Sequence, residues 1–519
     1  MIAQSLFRLA QAICMLALFL PDTQAQTFAP KREFRGAWVA TVANIDFPSR
    51  TGLDEEKFKA EWTGIARFLS EAGFNAVFAQ VRPSGDAFFE SRIAPWSKYL
   101  SGRQGERPEG QFDPLAFMIS TAHQHNLEFH AWLNPYRAAM DTLDAQLASM
   151  HPFNRQPEWF MNYGGKRYFN PARPEVRDYI TEVVLEILMD YRVDGIHFDD
   201  YFYPYPSGAE ALPDKGDFAA YGYGFLSIED WRRHNIDLMI GQVSQMIKRV
   251  APHVKFGVSP FGVWRNISKD PVYGSETRAG INTYDDLYAD VRSWLEKGWL
   301  DYAAPQLYWN IGFPAADYAV LLKWWQNNSF ERHLYIGHAA YKVNNQEAAW
   351  KRPDEIPRQI QMNRSAAKVL GSIFYNTNSL QKNAIGFMDS IKSYYASPAL
   401  LPEMPFLKLP APETPLAGRP RLKKEKLQLQ CKIKNPSSVN SIVLYKFEGR
   451  QSGDFNNAVN ILGILRLNGR KKINFEDAAI EKGKTYTYAF AATNHAHQES
   501  PLGKVRVVEV RNKRIRLLR

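Results

Sequence analysis

Short runs rich in β-branched and aromatic residues alternate eight times with amphipathic stretches of helical length, and this rhythm constrains the fold more than any other feature of the chain. The strand candidates are Phe34–Thr41, Ala76–Arg82, Glu128–Asn134, Gly195–Tyr201, Lys255–Phe261, Tyr302–Trp309, Leu334–Tyr341 and Ser372–Thr377. Helices are expected over Glu55–Glu71, Leu115–His125, Pro174–Tyr191, Ile228–Val250, Tyr284–Lys297, Tyr318–Gln326 and Glu355–Val369. Cap signals agree: Asp113 precedes Pro114, Pro174 and Pro357 suit first turns, and Gly73 and Gly298 suit C-terminal stops. Strand–helix alternation implies a parallel sheet, and eight units imply closure into an α/β (β/α)8 barrel. An open doubly wound sheet is the runner-up, but no glycine-rich phosphate turn follows the first strand. The connections after the second, third and fourth strands are long, and they lie where barrels carry their active-site loops.

The barrel pattern spans residues 32–395, and prolines then crowd into 396–416, which reads as a stiff extended linker. Residues 417–519 alternate at strand length over Leu427–Ile433, Ser441–Phe447, Tyr486–Thr493 and Val505–Val510, suggesting a small β-sandwich of fibronectin type III or immunoglobulin-like shape. At the other end, Leu9–Leu20 is apolar behind Arg8, with small residues after it, so residues 1–25 read as a cleaved signal peptide. The mature chain is then exported, to the periplasm or beyond, with no transmembrane segment. Two cysteines, Cys14 and Cys431, leave little room for disulfides or a thiolate metal site. Of the formal charge of +10, residues 411–519 supply 22 Lys and Arg against 9 Asp and Glu, a balance of +13, so the remainder carries −3. A basic tail without a nucleic-acid motif favours an anionic envelope polymer as partner over nucleic acid.

The densest chemical cluster is Asp194 through Pro204, at the end of the fourth strand. Alternation puts His197, Asp199 and Tyr201 on the lumen face, and Asp200 turns inward only if the strand ends early. A carboxylate there suits glycoside hydrolysis, trapping or stabilising an oxocarbenium-like transition state while a second carboxyl protonates the leaving oxygen. Asp86, on the loop after the second strand, is the candidate for that proton donor, with Glu90 beside it. Arg82 is expected to anchor a carboxylate such as Asp199 or an acid group of the substrate. Trp38, Asn134, Tyr136, Arg137, Tyr203, Trp264, Asn266, Gln306, Tyr308 and Trp309 supply ring faces and paired hydrogen bonds suited to sugars. No His-Glu-x-x-His, nucleotide-binding glycine loop or Gly-x-Ser-x-Gly elbow occurs, so no metal and no organic cofactor is expected.

Several separated stretches occur in the order found in the glycosyl-hydrolase-like family ten proteins, and the chain resembles that family. They are Arg35-Gly36-Ala37-Trp38-Val39, Gln80–Asp86 with Pro95-Trp96-Ser97, Ala131–Arg137, Asp194–Pro204, Gly257–Gly262 and Ala304–Trp309. The resemblance implies an exported hydrolase barrel related at long range to α-glycosidases, with some relatives acting on peptidoglycan strands stripped of their peptides. In such barrels the nucleophilic Asp ends the fourth strand, which implies Asp199 or Asp200 here. Their acid usually follows the fifth or sixth strand, and neither Gly257–Trp264 nor Ala304–Trp309 contains a carboxylate. The stretch Asp194–Asp199 also resembles chitinase-type barrels, but their proton-donating Glu falls at Tyr201, so that mechanism does not transfer. The expectation is a glycosidase of a cell-wall polysaccharide. The alternatives are a storage- or host-glycan hydrolase, a glycan-binding protein without turnover, and a structural envelope protein.

Overall fold

The computed structural model describes residues 29–143, 147–512 and 514–518, so the signal peptide expected over 1–25 lies outside the described residues. Strands β1 (Phe34–Val39), β2 (Ala76–Arg82) and β3 (Glu128–Leu133) begin a parallel sheet. A small antiparallel sheet of β4 (Arg137–Ala139), β5 (Phe160–Tyr163) and β6 (Lys166–Phe169) then interrupts it. The parallel sheet resumes with β7 (Gly195–Phe198), β8 (Lys255–Val258), β9 (Tyr302–Ala303), β10 (His333–Ala339) and β11 (Val369–Tyr375). β11 pairs back onto β1 through Phe34 opposite Gly371, and the barrel closes with eight strands. The sequence placed all eight, but it ran most of them too far toward the mouth. Pro260 and Pro305 lack the amide donor a ladder requires, and β8 and β9 stop short of them.

Alternation fills the lumen with Phe34, Trp38, Phe78, Trp132, Tyr302, Tyr335 and Ile373. Glycines make room for the rings: a Cβ on Gly257 would meet the Tyr302 ring at 2.2 Å, and one on Gly195 would meet His130 at 2.3 Å. The helices lie outside, where Glu55–Glu71 buries Phe58, Trp62, Ile65 and Leu69, and Asp113 caps the next helix by accepting from Ala116 N at 2.9 Å. The helix expected over Tyr284–Lys297 is confined to Val291–Glu296, because Asp290 supplies its cap.

Beyond the barrel come β12 (Leu416–Ala417), β13 (Arg421–Lys423), β14 (Lys426–Lys432), β15 (Ser441–Glu448), β16 (Ile461–Arg466), β17 (Lys472–Asp477), β18 (Thr485–Thr493), β19 (Arg506–Arg511) and β20 (Arg514–Leu517). They form two antiparallel sheets that share a core of Leu427, Leu429, Cys431, Ile442, Leu444, Tyr488 and Phe490. These sheets meet the end of the barrel opposite the mouth. The proline-rich stretch between them is pinned rather than free: Leu400 N donates to Lys31 O at 2.8 Å, Met404 N donates to Ala496 O at 2.9 Å, and Met404 is fully buried. Among the described residues no helix is long and apolar enough to cross a membrane.

Candidate active site

The mouth is assembled from the C-terminal ends of β3, β7, β9 and β11. β7 stops at Phe198, and the two carboxylates that follow consequently meet. Asp199 continues the lumen face and is buried, with its Oδ2 3.5 Å from Asn134 Nδ2 and its Oδ1 accepting from Asp200 N at 2.9 Å. Asp200, freed from strand alternation, is also buried and accepts a hydrogen bond from the Tyr205 hydroxyl. Among the described residues neither carboxylate has an ion-pair partner within 4.0 Å. Burial therefore raises both above the ordinary carboxylate range. Arg137 and the backbone hold Asp199 partly down, whereas the charge of Asp199 pushes Asp200 well up. The two carboxyls titrate as a pair, and Asp200 is the one raised further.

Aromatic rings surround the pair. Tyr205 lies 6.3 Å from Phe261, which meets Trp309 edge-on at 5.3 Å. Tyr308 stacks on Tyr375 at 6.2 Å, and Tyr341 contacts both at 5.9 and 5.8 Å. Arg137 lies 4.3 Å from the centre of the Tyr201 ring. Gln306, half-buried, donates to Ser259 O at 2.9 Å. Such rings around a buried acid pair suit the flat faces of sugar units, and the pair suits cleavage of a glycosidic bond.

Of the residues predicted from sequence, Asp199, Asp200, Asn134, Arg137, Tyr201, Gln306, Tyr308 and Trp309 converge at the mouth. Trp38 and His197 lie one layer below: His197 is fully buried, 3.2 Å from the Trp38 indole nitrogen, 3.0 Å from Ser259 Oγ and 3.1 Å from the Tyr302 hydroxyl. Arg82 is turned away from the lumen by a register shift between Gln80 and Arg82, which pairs it with outward-facing Leu133. Its guanidinium donates to Asn134 O at 3.0 Å and lies 5.3 Å from the Phe169 ring, so it shapes the loop and touches neither aspartate.

Asp86 is buried within its own loop, 3.4 Å from Gln104 Nε2, with burial raising its pKa. Among the described residues no hydrogen bond or ion pair joins it to the Asp199–Asp200 pair. Tyr136 and Tyr203 are buried in the main core outside the lumen, Tyr203 against Tyr288 at 5.1 Å. Trp264 stacks on Trp324 at 5.6 Å and donates to Asp290 at 3.0 Å. Asn266 folds its loop by donating to Ala279 O at 2.8 Å and accepting from Thr277 Oγ1 at 2.8 Å.

The sequence reading missed Tyr205, Phe261, Tyr341 and Tyr375. It also missed Asp46, after β1, whose carboxyl accepts from Ala40 N and Asn378 N while burial pushes its pKa up to about 6. Tyr205 stands one residue beyond the densest cluster, and its spacing from Asp200 was the available signal. Among the described residues no group of three or more His, Cys, Asp or Glu side chains is placed to hold a metal.

The model of the family described as Glycosyl hydrolase-like 10 matches residues 33–352. Glycosyl hydrolase YngK of Bacillus subtilis (strain 168) is 42% identical over 484 residues, covering 91% of this chain and 93% of the relative. Glycosyl hydrolase DigH of Escherichia coli (strain K12) is 39% identical over 402 residues, covering 71% of this chain and 89% of the relative. Among solved structures, the PgaB (BpsB) glycoside hydrolase domain from Bordetella bronchiseptica superposes with a TM-score of 0.45 at 14% identity, over 69% of this chain and 99% of that one.

Proposed function

The chain belongs to the Glycosyl hydrolase-like 10 family and is a glycoside hydrolase, and from that premise we propose that it is exported and cleaves a bacterial cell-wall polysaccharide, peptide-free peptidoglycan strands first among them. The observation that carries this reading is the buried Asp199–Asp200 pair, set among rings at the barrel mouth and lacking a cation within ion-pair distance. Asp199 attacks or stabilises the developing oxocarbenium carbon, and Asp200, the more strongly raised of the two, supplies or relays the proton to the leaving oxygen. Asn134 steadies Asp199, and Tyr205 orients Asp200. The aromatic rim grips successive sugars. Residues 32–395 form the catalytic unit, and the basic residues 417–519 form a second module that keeps the enzyme near anionic wall polymer.

The test is saccharide release, read by chromatography with mass detection, from peptide-free peptidoglycan strands. Wild type should release fragments, whereas Asp199→Asn should lose roughly 10²–10⁴-fold in rate. Tight glycan binding with no fragments from wild type would instead favour a binding protein, and fragments from a different glycan alone would remove the cell-wall assignment.

A further inference from the structure

Arg137 opens β4, where the chain turns across the mouth from β3, and it is only 7% exposed. Its guanidinium rests on the Tyr201 ring at 4.3 Å, yet among the described residues it makes no side-chain hydrogen bond and has no carboxylate within 4.0 Å. Three other buried arginines, Arg35, Arg232 and Arg466, meet Glu33 at 2.7 Å, Asp214 at 2.6 Å and Asp194 at 2.7 Å, whereas Arg82, like Arg137 without a carboxylate, is spent on the carbonyl of Asn134 away from the lumen. None of its nitrogens is sealed from solvent, and its five donors, unused among the described residues, stay open to an arriving anion. Asp199 feels its field but stands beyond ion-pair distance.

Resting on the glycosidase reading above, we propose that Arg137 receives the carboxylate of a sugar acid seated beside the scissile bond, so that the substrate is a glycan carrying free carboxyl groups. The planar fork matches a carboxylate in two parallel hydrogen bonds, and the Tyr201 face fixes the plane of the fork. In peptidoglycan the lactyl carboxyl of muramic acid is free only where the peptide has been removed, and Arg137 then selects stripped strands. A uronic-acid polymer presents the same group.

The experiment compares wild type, Arg137→Lys and Arg137→Gln on peptide-free strands and on the same strands with their lactyl carboxyls reduced to alcohols. Alongside, calorimetry measures binding of N-acetylmuramic acid, glucuronic acid and N-acetylglucosamine to Asp199→Asn protein, with and without Arg137→Gln. Wild type should lose roughly 10- to 100-fold in kcat/KM on the reduced strands. Arg137→Gln should be slow on both with their ratio near unity, and Arg137→Lys should keep part of the discrimination. Equal wild-type rates on the two strands, or discrimination that survives Arg137→Gln, overturns the proposal. If wild type cuts neither strand, the cell-wall reading fails, and the binding arm still decides this one. A sugar acid bound about tenfold tighter than N-acetylglucosamine, with the preference lost in Arg137→Gln, supports it. Equal binding of all three sugars, or binding of none, overturns it. Preference for glucuronic over muramic acid assigns the carboxylate to a uronate polymer.

Discussion

The two ends of the barrel bury carboxylates to the same depth and treat them in opposite ways. At the end facing the C-terminal sheets, Asp194 accepts from Arg466 at 2.7 and 3.2 Å and lies 2.8 Å from His123. Glu128 there meets Lys255 at 2.5 Å, His130 at 3.2 Å and His497 at 3.0 Å. Despite burial, Asp194 is held below the ordinary carboxylate range by Arg466 with His123 beside it, and Glu128 by Lys255 with hydrogen bonds from the neighbouring imidazoles. At the mouth, burial acts on Asp199 and Asp200 without ion pairs, and both are raised. Similar burial thus accompanies a locked joint at one end and a pair of raised carboxyls at the other. What distinguishes a lowered from a raised carboxylate here is the neighbour.

The largest expected effect comes from breaking the joint. Arg466→Ala strands Asp194 in a buried position and should destabilise the chain by about 3–5 kcal/mol. Denaturant unfolding measures this, and Arg466→Ala combined with Asp194→Asn should recover most of the loss because no buried charge is left unpaired. A single variant as stable as wild type would show that the C-terminal sheets hang loosely from the barrel.

Next in size is the opposite response at the mouth. Asp199→Asn removes a charge that the fold desolvates without a paired cation, so it should leave stability unchanged or raise it by about 1–2 kcal/mol at pH 8. A carboxyl raised in the folded state contributes stability that is present below its unfolded value and is lost as pH rises through the folded value. The advantage of Asp199→Asn should therefore shrink as pH falls from the raised folded value toward about pH 4, the unfolded carboxylate value, and be gone below it. Asp194 and Glu128, lowered in the folded state, act with the reverse sign: their contribution is present above about pH 4 and drains away below it. Unfolding curves of wild type and Asp199→Asn between pH 3 and pH 8 test both signs, and parallel curves across that range would contradict them.

The contrast also marks what one sequence discloses. The eight strands were legible because each is a short apolar run closed by turn residues, and Asp199 was legible because alternation from His197 puts it on the lumen face. Arg82 misled because one register shift reverses a face, and nothing in Gln80-Val81-Arg82 announces the shift. Tyr341 and Tyr375 escaped because they join the site only when β10 and β11 close the barrel. The positive balance of the tail suggested a surface for anions, yet Arg466 and Arg506 are spent inside the molecule, on Asp194 and on the carbonyls of Ala417 and Gly418. Net charge records how many cations a segment holds and says nothing of which ones the fold has already neutralised.

The smallest effect is the most discriminating for the mouth. The Tyr205 hydroxyl donates to Asp200 and favours its anion, opposing the burial that raises it. Tyr205→Phe keeps the ring against Tyr201 and Phe261 but removes that donor. The pKa of Asp200 should rise further, by about one unit at the lower end for one hydrogen bond to a charged group. If protonated Asp200 serves the reaction, the alkaline limb of the kcat/KM profile should move upward by that amount, with only a modest loss at the optimum. Loss of the Asp199 charge works the other way, lowering Asp200, so residual activity in Asp199→Asn should show its alkaline limb shifted down. Opposite shifts would tie the limb to the proton shared by this pair, whereas an unmoved limb in both variants would assign the titrating acid to another carboxyl at the mouth, with Asp46 the first to examine.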